Sequence, residues 1–561
     1  MLKLSAEPKR LVSAHYLNRP IDHPQHFPVE QELLLDRLKY VNTGYHQDLR
    51  CMEGTRTVLL NEITNWVAGI SGQGGVLHGS TFWIYGLPGI GKTSLAHSIC
   101  ATLHEDGQLA GAFFCRRDDP NLSEPRNILP TLIHQLAIIL PSFRNIVAER
   151  LRKDPHVTPE SMKHTLFLDF IQKLPRLPKK PLVFVIDALD ECGSIHSRPD
   201  ILKTLTDAAA KTSWLKVIIT SRAEDDIQRF FNGPAQLLHL KYDLTADTET
   251  TSDIRLFAKH RFRRVARERF LPPSWPDQSP FDGVISRAAG LFIFIETLAL
   301  ALEKCDDPTE LLKAALPDSA ITGLTSLYEL YSSIVKARKV QNNDEFRRMI
   351  GVLLITAPLR PLCEVTIAKL AGVRLDLVKR WVADLSSMLY PDKGASGGVR
   401  IRHLSVSDFF ISDYCHRDYQ VNLRDANVEL GIACLKKMVE QLCFNICELE
   451  DSRLANDEVK NLPSRIKKNI PDDLQYSSLY WSDHLCFSPD TGDRPVWESL
   501  SKFLEGPYVL FWIEVLSIMG MLRIGVPSLR KVTSTLIKVS RAPACRYGHS
   551  KVILTCYRMQ M

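Results

Sequence analysis

The chain lacks a paired-cysteine signature: its thirteen cysteines are spread over 561 residues without one C-x-x-C. The closest two, Cys443 and Cys447, stand at helical spacing within Leu442–Leu449, with no second pair nearby to complete a zinc ligand set. Scattered thiols with apolar flanks suit a reducing compartment. Long apolar runs are also missing. The longest, Ala288–Leu302 and Val509–Leu522, are broken by Glu296 and Glu514 and fall short of the roughly 20 residues that span a bilayer. No basic start followed by an apolar segment marks a secretory signal. Net charge is small, +6 from 70 basic and 64 acidic residues, which argues neither for a nucleic-acid protein nor for an acidic-substrate enzyme, and no nucleic-acid partner is expected. The densest basic stretch, Lys259–Arg267, reads as the solvated face of a helix whose apolar side carries Phe257, Phe262 and Val265. What is left is a cytoplasmic protein without a membrane span. At 45% hydrophobic it is long enough to build about three or four cores.

Against these absences stands one complete motif. Gly86-Leu87-Pro88-Gly89-Ile90-Gly91-Lys92-Thr93 spells G-x-x-x-x-G-K-[ST], the phosphate-binding P-loop. Its context fits: the apolar run Thr81–Tyr85 predicts a strand leading in, and Ser94–Ile99 opens a helix whose unpaired amides face an anion. Glycines let the backbone wrap phosphates, Lys92 neutralises β/γ charge, and the Thr93 hydroxyl is placed to ligate Mg²⁺. The expected cofactors are therefore ATP or ADP with Mg²⁺.

Downstream, Pro181–Ile186 is a continuous apolar run that suits a strand buried on both faces, and it ends in Asp187-Ala188-Leu189-Asp190-Glu191-Cys192. This is the pattern of a Walker B strand. Asp187 is expected to hold the metal, while Asp190 or Glu191 orients or deprotonates the hydrolytic water; the lesser alternative for Asp190 is to cap a following helix. A third buried run, Leu215–Thr220, ends in Ser221-Arg222, and Arg222 is the candidate γ-phosphate sensor. A fourth, Gly111–Cys115, ends in Arg116-Arg117, an arginine pair that either faces nucleotide or, the favoured reading, is a solvated strand end. Strands alternating with helical stretches such as Ile128–Leu140 and Pro199–Thr212 predict an α/β fold, a doubly wound parallel sheet with its ligand at the carboxyl edge.

The wording of these motifs resembles the NACHT domains of the STAND NTPases, the NOD-like-receptor-like signalling ATPases, in particular those of mushroom-forming fungi. Cys51–Arg56 followed by Ile63–Trp66 is similar to their segment before the P-loop, and Ser286–Ile293 and His403–Phe409 are similar to signatures beyond the ATPase core. The resemblance spans roughly residues 40 to 525. It implies a nucleotide-gated switch, ADP-bound and closed at rest, that opens and self-associates after ligand sensing and exchange for ATP, with slow hydrolysis as the reset. It further implies an unknown activating ligand, an unknown effector, and an association with fungal non-self recognition or heterokaryon incompatibility. By the same resemblance His403 matches the histidine that reaches the ADP β-phosphate; on its own residue type, packing at a strand-to-helix junction also accounts for it. Two departures are visible. Gly290-Leu291-Phe292 replaces the family's Gly-x-Pro, whose proline touches adenine, and only about forty residues precede the Cys51 segment, with no repeat following.

The expected organisation is an N-terminal segment without fixed structure (1–40), the nucleotide-binding domain (41–225), a helical lid (226–315), a winged helix (316–415), a helical region (416–525) and a tail (526–561). The winged helix is read from helices at Asp344–Ile355, Val365–Ala371 and Leu375–Leu389 and from a hairpin through Met388–Tyr390 and Val399–Ile401 turning at Gly394, Gly397 and Gly398. It raises DNA binding as a rival. The helix from Leu375 balances two acids against two bases, which is poor neutralisation of phosphates. A non-hydrolysing nucleotide scaffold and a metabolic P-loop kinase also compete with a slow ATPase switch.

Overall fold

The structure, a computed structural model, describes residues 29–540 except 71–78, 155, 158–161, 163, 175–177, 234–238, 317–320, 338–342, 393–396, 452 and 486–493. Its centre is a five-stranded sheet built of β1 (Thr81–Tyr85), β2 (Leu109–Phe114), β3 (Leu182–Asp187), β4 (Leu215–Ser221) and β5 (His239–Asp243), in the order β2-β3-β4-β1-β5. Every pairing is parallel. The register sets Tyr85 opposite Ser221 and Phe114 opposite Asp187, so the carboxyl ends of β1 to β4 form one edge. The fold is that of a P-loop NTPase with a helical region after it.

Alternation along the strands sorts side chains to two cores. Phe82, Ile84, Val183, Val185 and Ile218 fill one face; Trp83, Phe113, Phe184, Ile186, Val217 and Ile219 fill the other. The first core continues without a break through the helices beyond the sheet as far as the buried Trp481 and Trp512. Those two tryptophans pack edge to face, and the Trp512 indole N–H donates to the Ser478 carbonyl.

Three helices, Asn343–Thr356, Glu364–Ala371 and Leu375–Asp384, are followed by an antiparallel hairpin of β6 (Leu389–Pro391) and β7 (Val399–Ile401). This is the element order of a winged helix. The third helix ends at Asp384, earlier than the sequence pattern suggests, because Met388 and Leu389 both turn back to the Leu385 carbonyl. Its Val378, Trp381 and Val382 are buried. Gly394 lies outside the described residues.

Some expectations need correction. β5 falls where only helices are expected, and it pairs with β1 at the sheet edge. The segment 1–40 is folded in its described part: helix Val29–Asp36 lies on helix Pro141–Lys153, with Arg152 paired to Glu30 at 3.0 Å. The start of the expected tail is a helix, Gly525–Ser540, and residues 541–561 lie outside the described residues. Leu442–Leu449 is turn rather than helix, since helix Leu423–Gln441 has already ended. Among the described residues no cluster of His, Cys, Asp or Glu could hold a metal on its own, and no helix is long and apolar enough to cross a membrane.

Candidate nucleotide-binding site

The P-loop runs from the end of β1 to helix Lys92–Glu105. Gly89 and Gly91 adopt φ of +80° and +97°, a region costly for any side chain. A Cβ on Gly89 would also meet Ile293 Cγ2 at 2.0 Å. The loop is closed from outside, because Ile293, near the start of helix Phe292–Lys304, donates its backbone N–H to the Gly89 carbonyl at 3.1 Å. Leu87 and Thr93 are exposed, Pro88 and Ser94 half-buried, Gly86 and Ile90 buried. The Ser94 carbonyl accepts from Ser98 Oγ at 3.0 Å.

Lys92 is 8% exposed, and its ammonium donates to the carbonyls of Gly86 and Leu87, each at 2.9 Å. Burial pushes its pKa down to about 8, against the pull of Asp190 and Asp187. A buried ammonium held only by neutral carbonyls gains most from an anion set into the same loop.

At the end of β3, Asp187 is 1% exposed. Its Oδ1 accepts from Thr220 Oγ1 at 2.5 Å, and the Thr93 hydroxyl also bonds to this carboxylate. Desolvation outweighs those bonds and raises its pKa to about 6. Thr93 and Asp187, expected to share a metal, are thus adjacent and polar, an oxygen set suited to Mg²⁺. Ala188 follows at φ 54°, a left-handed conformation for a residue with a side chain, and it turns the chain into the short helix Leu189–Glu191.

That turn separates Asp190 and Glu191. Asp190 is buried and faces β4: its Oδ1 accepts the Arg222 backbone N–H at 2.9 Å, and its Oδ2 lies 3.4 Å from Arg222 Nε. Glu191 Oε2 accepts the Arg117 N–H at 3.3 Å, and both acids line an open cleft of about 410 Å³ together with Arg117, Arg198 and Glu224. Burial, and then the neighbouring Asp190 charge, lift the Glu191 carboxyl to about 7. The two acids are not interchangeable. Asp190 bridges strand ends, and Glu191 is poised to exchange a proton near neutrality.

Arg222 reaches further than β4. Its Nη1 donates at 3.0 Å to Asp408 Oδ2, on helix Leu404–Ile411, which directly follows the hairpin. A second tie joins the same regions: Arg400 of β7 contacts Asp118 at 3.2 Å, and Asp118 also holds Arg116 at 2.8 Å. Arg116 is linked to this tie through Asp118, yet its side chain is 42% exposed and Arg117 is exposed, in keeping with a solvated strand end.

His403 caps helix Leu404–Ile411, its Nδ1 accepting the Ser405 backbone N–H at 3.1 Å. Ser405 Oγ lies 2.6 Å from the same nitrogen and 2.9 Å from the Tyr331 hydroxyl. Desolvation, then the Arg222 and Lys92 cations, push the His403 pKa down to about 3, so the ring is neutral. An acceptor Nδ1 in a neutral imidazole leaves the proton on Nε2. The ring edge lies beside the P-loop, with Cε1 3.7 Å from where a Gly89 Cβ would stand.

One group at this site belongs to the Cys51–Arg56 segment, but the sequence alone assigns it no role. Arg56, with its side chain 2% exposed, donates from Nη1 to Asp247 Oδ2 and Thr250 Oγ1, both at 2.7 Å, and from Nη2 to the Ile90 carbonyl at 3.0 Å. Its guanidinium also lies 5.4 Å from the centre of the Phe292 ring. It joins the P-loop, the segment before it and the helices after the sheet. Where the family pattern has proline, Phe292 sets its ring against Gly91, within 3.7 Å of a Cβ position there.

A family model described as Nephrocystin 3, N-terminal, matches residues 54–222, from the segment before the P-loop to Arg222. The chain is 24% identical over 498 residues to the Vegetative incompatibility protein HET-E-1 of Podospora anserina, covering 81% of this chain and 34% of that protein. The chain thus spans about a third of the length of this relative. Among solved structures, a Signal Transduction ATPase with Numerous Domains (STAND) protein with a tetratricopeptide repeat sensor from Pyrococcus horikoshii is 12% identical at a TM-score of 0.37, covering 92% of this chain and 71% of that one. The Orc1 protein of Aeropyrum pernix, solved with DNA, is 13% identical at a TM-score of 0.29, covering 65% and 94%. Both structural likenesses are loose. A P-loop and a Walker B-type strand end share one parallel sheet edge, the family match covers that core and the alignment to HET-E-1 runs far beyond it, and together these support a NACHT-like STAND NTPase.

Proposed function

We propose that this chain is a nucleotide-gated signalling switch: it binds ADP with Mg²⁺ in a closed form, exchanges it for ATP on activation, opens and self-associates, and resets by slow hydrolysis. One observation carries the reading. The P-loop edge of the sheet is lined by groups from the far side of the winged-helix hairpin, His403 beside Gly89 and Asp408 on Arg222, so a nucleotide there touches both halves at once. A ligand shifts a conformational equilibrium only through contacts that differ between the states, and this juxtaposition supplies them.

Lys92 and the amides of Gly89–Ser94 hold the phosphates. Thr93 and Asp187 are the residues that would hold Mg²⁺, which would supply positive charge against the phosphates. Glu191 takes the proton of the attacking water, as its carboxyl near 7 suits a general base, and Asp190 fixes Arg222 at the γ-phosphate. The neutral His403 presents its Nε2–H to the β-phosphate. The name of HET-E-1 suggests the setting, vegetative incompatibility.

Nucleotide released from the purified, denatured protein and separated by chromatography tests the reading. Near-stoichiometric ADP is expected; a nucleotide-free protein that also fails to take up ADP with Mg²⁺ contradicts it.

A further inference from the structure

A contact to the β-phosphate exists with ADP and ATP alike, so His403 alone gives the switch no way to tell them apart. Discrimination needs a group that responds to the γ-phosphate. Arg222 is placed for that task, and in the closed structure it is not free. It faces two carboxylates of different origin. Asp190 belongs to the same sheet edge and is fixed there by the Arg222 backbone N–H. Asp408 arrives from 186 residues further along the chain, on helix Leu404–Ile411.

The rest of that helix is occupied elsewhere. Phe409 and Phe410 are buried, Phe409 packing on Tyr328 and Tyr331. Its polar grip on the sheet edge is Asp408. The two side chains are 20% and 23% exposed, shielded enough for the charge-assisted bond to matter and open enough for an anion to replace it.

We propose that Asp408 is the resting counter-ion of Arg222, a positioning residue that holds helix Leu404–Ile411 on the nucleotide site until the γ-phosphate of ATP takes the arginine and repels the carboxylate. The proposal rests on the switch reading. ADP, lacking the third phosphate, leaves the Arg222–Asp408 pair intact; ATP breaks it. One charged atom pair thereby converts the presence of a phosphate into release of the winged-helix segment.

The test is a titration of the full chain with fluorescent ADP and a non-hydrolysable ATP analogue in Mg²⁺, read as the ratio of the two affinities. Asp408→Asn removes the competing charge and should shift that ratio toward the triphosphate about tenfold, the size of one partly exposed charge-assisted bond. Asp408→Glu, which keeps the charge, should retain the parent ratio. In an Arg222→Ala background Asp408→Asn should lose most of its effect, as a merely structural role would not. An unchanged ratio in a folded Asp408→Asn protein, or a full shift without Arg222, overturns the counter-ion role while the switch reading stands. A parent chain that binds neither nucleotide overturns that reading and the proposal together.

Discussion

Asp187→Asn separates two tasks of one position. The carboxylate is buried, and desolvation raises its pKa from 3.8 to about 6 despite the bonds from Thr220 and Thr93 and the charge of Lys92. The folded state therefore holds this proton more tightly than the unfolded chain. Stability from the group is fully present below pH 4 and is lost as the pH rises through 6. Ionising it inside the fold at neutral pH costs up to about 3 kcal/mol, from roughly two pKa units at about 1.4 kcal/mol each. Asparagine keeps an acceptor for Thr220 and never ionises. The nucleotide-free Asp187→Asn protein should be more stable than the parent at pH 7.5, with its melting temperature raised by several degrees, roughly 2–4 °C per kcal/mol. At pH 4.5 the gain should shrink to about 1 kcal/mol. With Mg²⁺ and ADP the order should reverse, because the carboxylate that was costly alone now holds the cation. Thermal unfolding at the two pH values, with chelator and with Mg-ADP, measures all three. A melting temperature lowered at pH 7.5 in chelator, or an equal gain at both pH values, would refute the reasoning.

Four further outcomes are expected. Phosphate release should rise with pH through about 7 as Glu191 loses its proton, and Glu191→Gln should abolish both turnover and that limb while nucleotide binding persists; a steady-state profile of the two proteins decides. Asp190→Asn should act through Arg222, weakening discrimination of ATP from ADP more than binding itself, which paired affinity measurements would show. Arg56→Ala leaves Asp247 and Asp253 without their cation in a buried site and should cost about 3–5 kcal/mol, a loss that denaturant unfolding would reveal and Arg56→Lys would only partly restore. His403→Ala should speed ADP release on the order of tenfold and shift sedimentation toward larger assemblies in ATP; equal off-rates and an unchanged profile would leave His403 a packing residue.

The strands that carry the nucleotide chemistry are legible in the sequence because they are buried on both faces. Thr81–Tyr85, Leu182–Asp187 and Leu215–Ser221 are continuous apolar runs, and a motif at the end of each inherits its place on the sheet edge. β5 is harder to read: His239-Leu240-Lys241-Tyr242-Asp243 does alternate polar and apolar residues with the period of a strand, but the run is five residues long and, at a sheet edge, lacks the continuous apolar character that marks the central strands. Contacts between remote segments are equally hidden. Arg56 is one of 70 basic residues, and its partners lie as far away as Asp253; nothing local marks it as buried. The Arg222–Asp408 pair spans 186 residues, and its residues can be named from their motifs while their contact cannot. Asp190 and Glu191 look equivalent in sequence; the left-handed Ala188 and the turn after it give them different partners, the Arg222 amide for Asp190 and the Arg117 amide for Glu191.

The central claim is that the loop Gly86–Thr93 binds nucleotide phosphates through Lys92. Titration of the parent and Lys92→Ala proteins with fluorescent ADP and Mg²⁺ tests it most directly. Loss of one charge-assisted phosphate contact predicts a ten- to hundredfold weaker affinity, about 1.5–3 kcal/mol. Equal affinity in a folded Lys92→Ala protein would contradict it.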